Sequence, residues 1–241
     1  MTGSWSVDQQ RVRDNLNRIE EQVCAACAAA GRRREEVTLM AVTKTVAPEL
    51  IQAVLDAGVT CIGENRVQEY LAKRDSLCLQ GVECHLIGHL QTNKVRRIVG
   101  QVDMIQSVDS VRLAKVIADA AKDTLHGSVD VLVEVNIGGE ESKSGVAPEE
   151  LLPLLQEISV FEGICVRGLM TIPPILQSET EKLTIFSKMH KLFIDIRDKK
   201  VDNVSMELLS MGMSSDFAEA IRAGSTMIRV GSAIFGERQY K

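Results

Sequence analysis

The sequence predicts an α/β fold: a single closed parallel (β/α)8 TIM barrel with an extra helix at its N-terminus. Three observations lead there. Eight short apolar runs alternate with helix-sized segments at roughly thirty residues per unit, the length of a strand–crossover–strand repeat. The chain has 241 residues, 45% of them hydrophobic, enough for one core of that kind. The competing open doubly wound sheet expects a G-x-G-x-x-G turn after its first strand, and none is present.

Residues 7–30 place Val12, Leu16, Ile19, Val23 and Cys27 on one helical stripe, which Gly31 stops. The charged connector 32–36 reads as solvated surface. Strand one spans 37–43, and Pro48 opens the helix that Gly58 ends. Strand two is 59–63, with a helix from about 66 to 79; strand three is 84–87, with a helix from about 93 to 99. Strand four is 104–108, and Asp109 or Ser110 caps the next helix. Strand five is 129–137, followed by the glycine-rich GGEESKSG and a helix opened at Pro148. Strand six is 164–170, then a Pro-Pro loop and a long helix over about 179–197. Strand seven is 206–211, with a helix from Ser214 or Ser215 to Ala223, and strand eight is 227–230. No linker or low-complexity segment divides the chain, so residues 1–241 are expected to form one domain.

Composition excludes several classes. A net charge of −5 and 3% aromatics do not suit a nucleic-acid surface, which needs a basic face with stacking rings. No apolar run reaches membrane-span length, and the opening MTGSWSVDQQ lacks the plan of a signal peptide, so a cytoplasmic protein is expected. Six cysteines suit free thiols there. Cys24 and Cys27, in an alanine-rich helix, read as small buried residues rather than a redox pair; Cys61, Cys84 and Cys165 read as core. No four residues have zinc spacing, and His85 and His89 in HLIGH lack the glutamate of a helical zinc motif, so no metal is expected.

In a barrel of this kind, chemistry gathers at the carboxyl ends of the strands, with phosphate often held after strands seven and eight. Lys44 ends strand one. A lysine there either forms a Schiff base with its amine or simply reaches solvent or a carboxylate. Asn65 follows strand two, His85 lies in strand three and Met170 ends strand six. Ser210, Gly231 and Ser232 mark the ends of strands seven and eight, where small residues let backbone amides approach an anion. The stretch SMGMSSDF reads equally well as a phosphate site or as a strand end followed by a helix cap that needs no ligand. Arg229 cannot lose its charge, so inside a barrel it needs either a partner such as Glu207 or access to the rim. Tyr70 reads as packing, as do Met206, Met211 and Met213. An amine, an anion cradle and a group able to meet a ring nitrogen together suit pyridoxal 5′-phosphate.

VTKT around Lys44, IGENRVQE (62–69), HLIGHLQTNK (85–94), QSVDS (106–110), VNIGGEESKSG (135–145), GLM (168–170) and the stretch 209–238 resemble the pyridoxal-phosphate homeostasis proteins. These are relatives of the barrel domain of alanine racemase, and the resemblance runs from about residue 8 to residue 240. It implies Lys44 as the Schiff-base lysine, Arg229 facing the pyridine nitrogen, and Ser210, Gly231 and Ser232 around the phosphate. Asn65, His85 and Met170 would line the pocket, with Met211 counted as a cofactor-binding position beside Ser210. Arg66 stands where many relatives carry an aromatic residue.

The expected function is to hold pyridoxal 5′-phosphate and deliver it to apoenzymes that depend on it, without strong catalysis. An arginine at the ring nitrogen weakens the electron sink, and no domain carrying a second acid–base residue is expected after the eighth unit. A pyridoxal-phosphate-dependent amino-acid racemase and a cofactor-free Schiff-base aldolase are the alternatives, and a monomer is expected.

Overall fold

Eight parallel strands pair in chain order and close on themselves: β1 (Thr38–Val42), β2 (Cys61–Glu64), β3 (Glu83–Leu86), β4 (Met104–Val108), β5 (Val129–Glu134), β6 (Ile164–Met170), β7 (Val204–Met213) and β8 (Met227–Val230). Closure is made by β1 against β8, where Met40 lies beside Arg229. The computed structural model describes residues 5–140 and 143–236; MTGS, Glu141-Ser142 of the glycine-rich loop and Glu237-Arg238 of the last motif lie outside the described residues.

The helices are α1 (Val7–Ala29), α2 (Pro48–Leu55), α3 (Val67–Lys73), α4 (Val95–Ile98), α5 (Val111–Ala121), α6 (Leu151–Ile158), α7 (Glu179–Lys199), α8 (Phe217–Arg222) and α9 (Ser232–Phe235). Local chemistry sets their starts. Ser6 and Gln9 form a reciprocal capping box on α1, and Ser178 and Glu181 do so on α7. Ser110 Oγ accepts from Leu113 N at the start of α5.

Because helices cover the outside of the sheet, both strand faces are apolar. The outer layer joins α1 to the sheet through Val12, Leu16, Ile19 and Val23, and Phe186 is among its largest fully buried side chains. Inside the barrel, two smaller clusters gather: Met40, Val42, Cys61, Ile87 and Met227, and Met104, Leu132 and Met170. With so few aromatics, methionine fills the irregular spaces of the closed sheet. Helix α1 lies against α2, α8 and α9, so it shields the junction where the barrel closes.

Several boundaries differ from the sequence reading. Strand β5 ends at Glu134, beyond which Val135 bridges to Val146 within the glycine-rich loop. Strand β7 runs on to Met213, with a register shift against β8 between Ser210 and Met213. Its following helix starts at Phe217 behind Asp216, not at Ser214 or Ser215. Helix α9 was not anticipated, since four residues carry no readable period. Cys27 is buried but Cys24 is exposed, and Cys165 is only half-buried; the other two strand cysteines are core. No helix among the described residues is long and apolar enough to cross a membrane.

If α1 belongs to the cooperative unit, Leu16→Ala should lower the urea-unfolding free energy by about 2–5 kcal/mol. Leu125→Ala, at a fully exposed position, should stay within about 0.5 kcal/mol of the parent. Equal effects would remove α1 from the core.

Candidate functional site

Beyond Val42 the chain leaves β1 through the turn Thr43-Lys44-Thr45, and a buried ion network holds that turn. The ammonium of Lys73, at the end of α3, has three hydrogens and meets three acceptors: Thr43 O at 2.7 Å, Glu64 Oε1 at 2.5 Å and Glu69 Oε1 at 3.1 Å. Glu69 also accepts from the backbone N of Thr45, and the Thr43 hydroxyl donates to Glu64. Thr45 has φ +61°, a left-handed conformation that a β-branched residue keeps only when its surroundings enforce it. Burial raises the Glu64 carboxyl pKa, and its bonds to Lys73 and Thr43 oppose that rise. The half-buried Lys44 is thus carried on a turn tied from three sides.

The facing wall is made by the ends of β7 and β8. Ser214 Oγ accepts from Gly231 N at 3.2 Å and from Ala233 N at 3.3 Å. Two backbone amides therefore point at one oxygen over long, weak bonds. A Cβ at Gly231 would stand 3.3 Å from Val42 Cβ, tighter than ordinary contact, so the residue keeps this wall close to β1. Asp216 accepts from Met213 N at 2.6 Å and fixes the bend between β7 and α8.

Between these walls lies a cavity of ≈ 280 Å³ lined by Lys44, Asn65, Ile87, Ser214, Arg229 and Ser232, among others. A second cavity of ≈ 320 Å³ shares Lys44, Gly231 and Ser232 with it, so Lys44 borders both. Asn65 Oδ1 is buried with no hydrogen-bond partner among the described residues. Its backbone packs so closely on Gly88 that a Cβ there would lie 2.3 Å from Asn65 O. Ser107 Oγ in turn donates to Gly88 O at 2.8 Å.

Arg229 is fully interior. Its Nη1 donates to Ser210 Oγ at 2.7 Å and its Nη2 to Thr171 O at 2.8 Å. Burial pushes its pKa down to about 10, with Asp216 and Glu134 pulling the other way, so it stays charged at neutral pH.

Of the positions singled out from sequence, Lys44, Asn65, Arg229, Gly231 and Ser232 reach the cavities, and Ser210 stands one hydrogen bond behind Arg229. Three others do not line them. His85 lies inside the barrel, bonded to Gln106; Met170 packs with Met104 and Leu132; Met211 packs in the outer layer. The suggested Arg229–Glu207 pair does not form: Glu207 sits on the outside and takes Arg167 at 2.6 Å. Tyr70 is buried packing, and its hydroxyl donates to Gln101 O at 2.8 Å.

Sequence reasoning gave no role to Glu64, Lys73 or Gln106, and it left Ser214 between a phosphate site and a helix cap. The i, i+4 spacing of Glu69 and Lys73 on α3 was the one available signal. Cys61, Glu83 and His85 bring ligand atoms within 4.8 Å of one another, a grouping no spacing reveals. Burial holds that thiol in its neutral form, and the histidine already meets the carboxylate.

The family model described as "Alanine racemase, N-terminal domain" matches residues 7–239. A protein of Aquifex aeolicus named "Pyridoxal phosphate homeostasis protein" is 42% identical over 94% of this chain and 98% of its own length. The chain belongs to the pyridoxal phosphate homeostasis protein family. A solved family member, PipY of Synechococcus elongatus with PLP bound, superposes with TM-score 0.79 at 33% identity, covering 90% of this chain and all of that one. A crystal structure of a protein from Bifidobacterium adolescentis matches more closely, with TM-score 0.91 at 38% identity over 97% of this chain and 98% of that one. The family's barrel therefore extends over nearly the whole of this sequence.

Two outcomes test the site as built. Lys73→Met leaves Glu64 buried without its counter-charge and should lower stability by about 3–5 kcal/mol in urea unfolding. A loss below 1 kcal/mol would mean that the network does not hold the turn. Glu134, near Arg229 but beside Asp109, has its pKa pushed up to about 7 by burial first and Asp109 second. Its folded form then binds the proton more tightly than the unfolded chain, so its contribution falls as pH rises from about 4.5 to about 7. Glu134→Gln should match the parent in denaturant stability near pH 4.5 and exceed it by up to roughly 3 kcal/mol at pH 8.

Proposed function

We propose that this chain holds pyridoxal 5′-phosphate reversibly through Lys44 and passes it on to apoenzymes, as a cytoplasmic monomer with no strong catalytic activity. The observation that carries this reading is the pairing, across one cavity, of a lysine on a tied turn with a wall of donors. When bound, the cofactor supplies an aldehyde that condenses reversibly with an amine.

The residues present fit that group. Lys44 offers the amine. The amides of Gly231 and Ala233, held apart from stronger partners by the Ser214 hydroxyl, suit an anionic oxygen, with Ser214 and Ser232 as hydroxyl donors. Arg229, charged and bonded among the described residues only to neutral oxygens, can direct its remaining N–H groups toward an acceptor in the ring. Asn65 Oδ1 is the buried polar atom in this wall that still lacks a partner among the described residues. His85, Met170 and Met211 lie outside the lining of the cavity.

A guanidinium against a ring nitrogen keeps that nitrogen an acceptor, which disfavours transamination and decarboxylation. The name of the Aquifex aeolicus relative and the PLP-bound state of the Synechococcus elongatus member support the holding role.

Borohydride reduction of the pyridoxal-phosphate-loaded protein, followed by peptide mass spectrometry, should place the pyridoxyl label on Lys44. Lys44→Ala should lose both the label and the absorbance of the bound form; a label on another lysine would refute the assignment. In loaded protein that has not been reduced, D-alanine formation from L-alanine should stay well below ~1 s⁻¹, and activity of an added apoenzyme should be restored. Turnover above that rate would favour a racemase.

A further inference from the structure

A single hydrogen-bonded chain crosses the inside of the barrel from the carboxyl rim to the amino rim. Arg229 Nη1 donates to Ser210 Oγ at 2.7 Å, and the Ser210 hydroxyl donates to Gln106 Oε1 at 2.7 Å. With its oxygen engaged, Gln106 turns its amide nitrogen to His85 Nδ1, 2.8 Å away. That NH2 group has no lone pair to accept with, so Nδ1 is the bare nitrogen and the ring proton sits on Nε2. Nε2 then donates to Glu83 Oε2 at 3.2 Å. The opposite amide orientation would leave the Ser210 hydrogen without an acceptor. It would also forfeit the contact of Gln106 Nε2 with Met227 Sδ at 3.1 Å.

Every link therefore runs in one direction, from a cation that only donates to a carboxylate that only accepts. Arg229, Ser210, Gln106 and His85 are all buried, and Glu83 alone stands in solvent on the far face. Bonds in such a series polarise one another in a low-dielectric interior, so the terminal charge strengthens links it does not touch. The carboxyl of Glu83 is held below its usual range by its bond to His85.

We propose that Glu83, His85, Gln106 and Ser210 are positioning residues for Arg229, through which a carboxylate on the amino-terminal face of the barrel sets the grip of the cavity on pyridoxal 5′-phosphate. This rests on the function proposed above. The chain fixes which N–H groups of the guanidinium are occupied and hence which remain free for the ring. Removing Glu83 frees His85 to change tautomer. Gln106 can then invert and Ser210 can turn, and Arg229 loses a fixed partner although nothing in the cavity has been altered.

The test uses the full chain with ¹⁵N labelling and two readouts. Without cofactor, long-range ¹⁵N correlations should show His85 protonated on Nε2 only. Glu83→Ala should shift the Arg229 guanidinium signals from across the barrel. By absorbance titration with pyridoxal 5′-phosphate, Glu83→Ala should raise Kd about 3- to 10-fold at unchanged melting temperature, and Ser210→Ala should raise it at least as much. His85→Leu should raise Kd further, and His85→Gln, which can still accept from Gln106 and donate to Glu83, should restore it. Should His85→Leu fail to fold, the Glu83 and Ser210 variants decide. Unmoved Arg229 signals, or a Kd within twofold of the parent in Glu83→Ala, would overturn the proposal. If the unsubstituted protein takes up no pyridoxal 5′-phosphate, the functional reading fails instead, and the ¹⁵N readout alone judges the chain of bonds.

Discussion

A guanidinium that stays charged sits inside a closed barrel, and the polar interior is arranged around it. Taking such an ion out of water costs several kcal/mol even after relaxation. Two hydrogen bonds to neutral oxygens return about 1.5–3 kcal/mol each, because one partner is charged. Asp216 and Glu134 add longer-range attraction without touching it. The balance keeps Arg229 in place but leaves its charge without a contacting counter-ion among the described residues, so an acceptor arriving in the cavity gains more from it than from a salt-bridged arginine.

Lys73 shows the opposite arrangement. It is as deeply enclosed as the strand ends around it, yet it meets two carboxylates and a carbonyl, which use all three of its hydrogens. Nothing is left over for a ligand. Its work is structural: it pins Thr43 and, through Glu69, the left-handed Thr45, and so fixes the turn that presents Lys44. One buried cation is spent on backbone geometry and the other kept available for recognition. The difference lies in the charge of their partners.

The two walls of the cavity come from opposite ends of the chain, β1 and the β7–β8 region, and meet only because the barrel closes. That closure also explains the dense use of small residues there. Gly88 lets the backbone of Asn65 come close, and Gly231 keeps the strand-eight wall against Val42. The long bonds from Gly231 and Ala233 to Ser214 hold the donors ready without saturating them.

Local sequence determined a great deal. Apolar runs of strand length, prolines opening α2 and the turn before α6, and the cap that opens α5 are short-range effects, so eight units and their order could be read directly. Lys44, Asn65, Arg229, Gly231 and Ser232 were legible because they lie at strand ends, where a barrel gathers its chemistry. Only the tertiary structure decided the rest. Strand alternation in β7 turned Met211 and Glu207 outward, and Ser214 accepts from the amides that follow β8 instead of capping α8. The partners of Lys73 and the path from Arg229 to Glu83 join residues up to 146 positions apart (229 less 83). Apart from the i, i+4 pair Glu69–Lys73, no periodicity encodes such pairings, because they depend on which side chains the closed sheet turns toward one another.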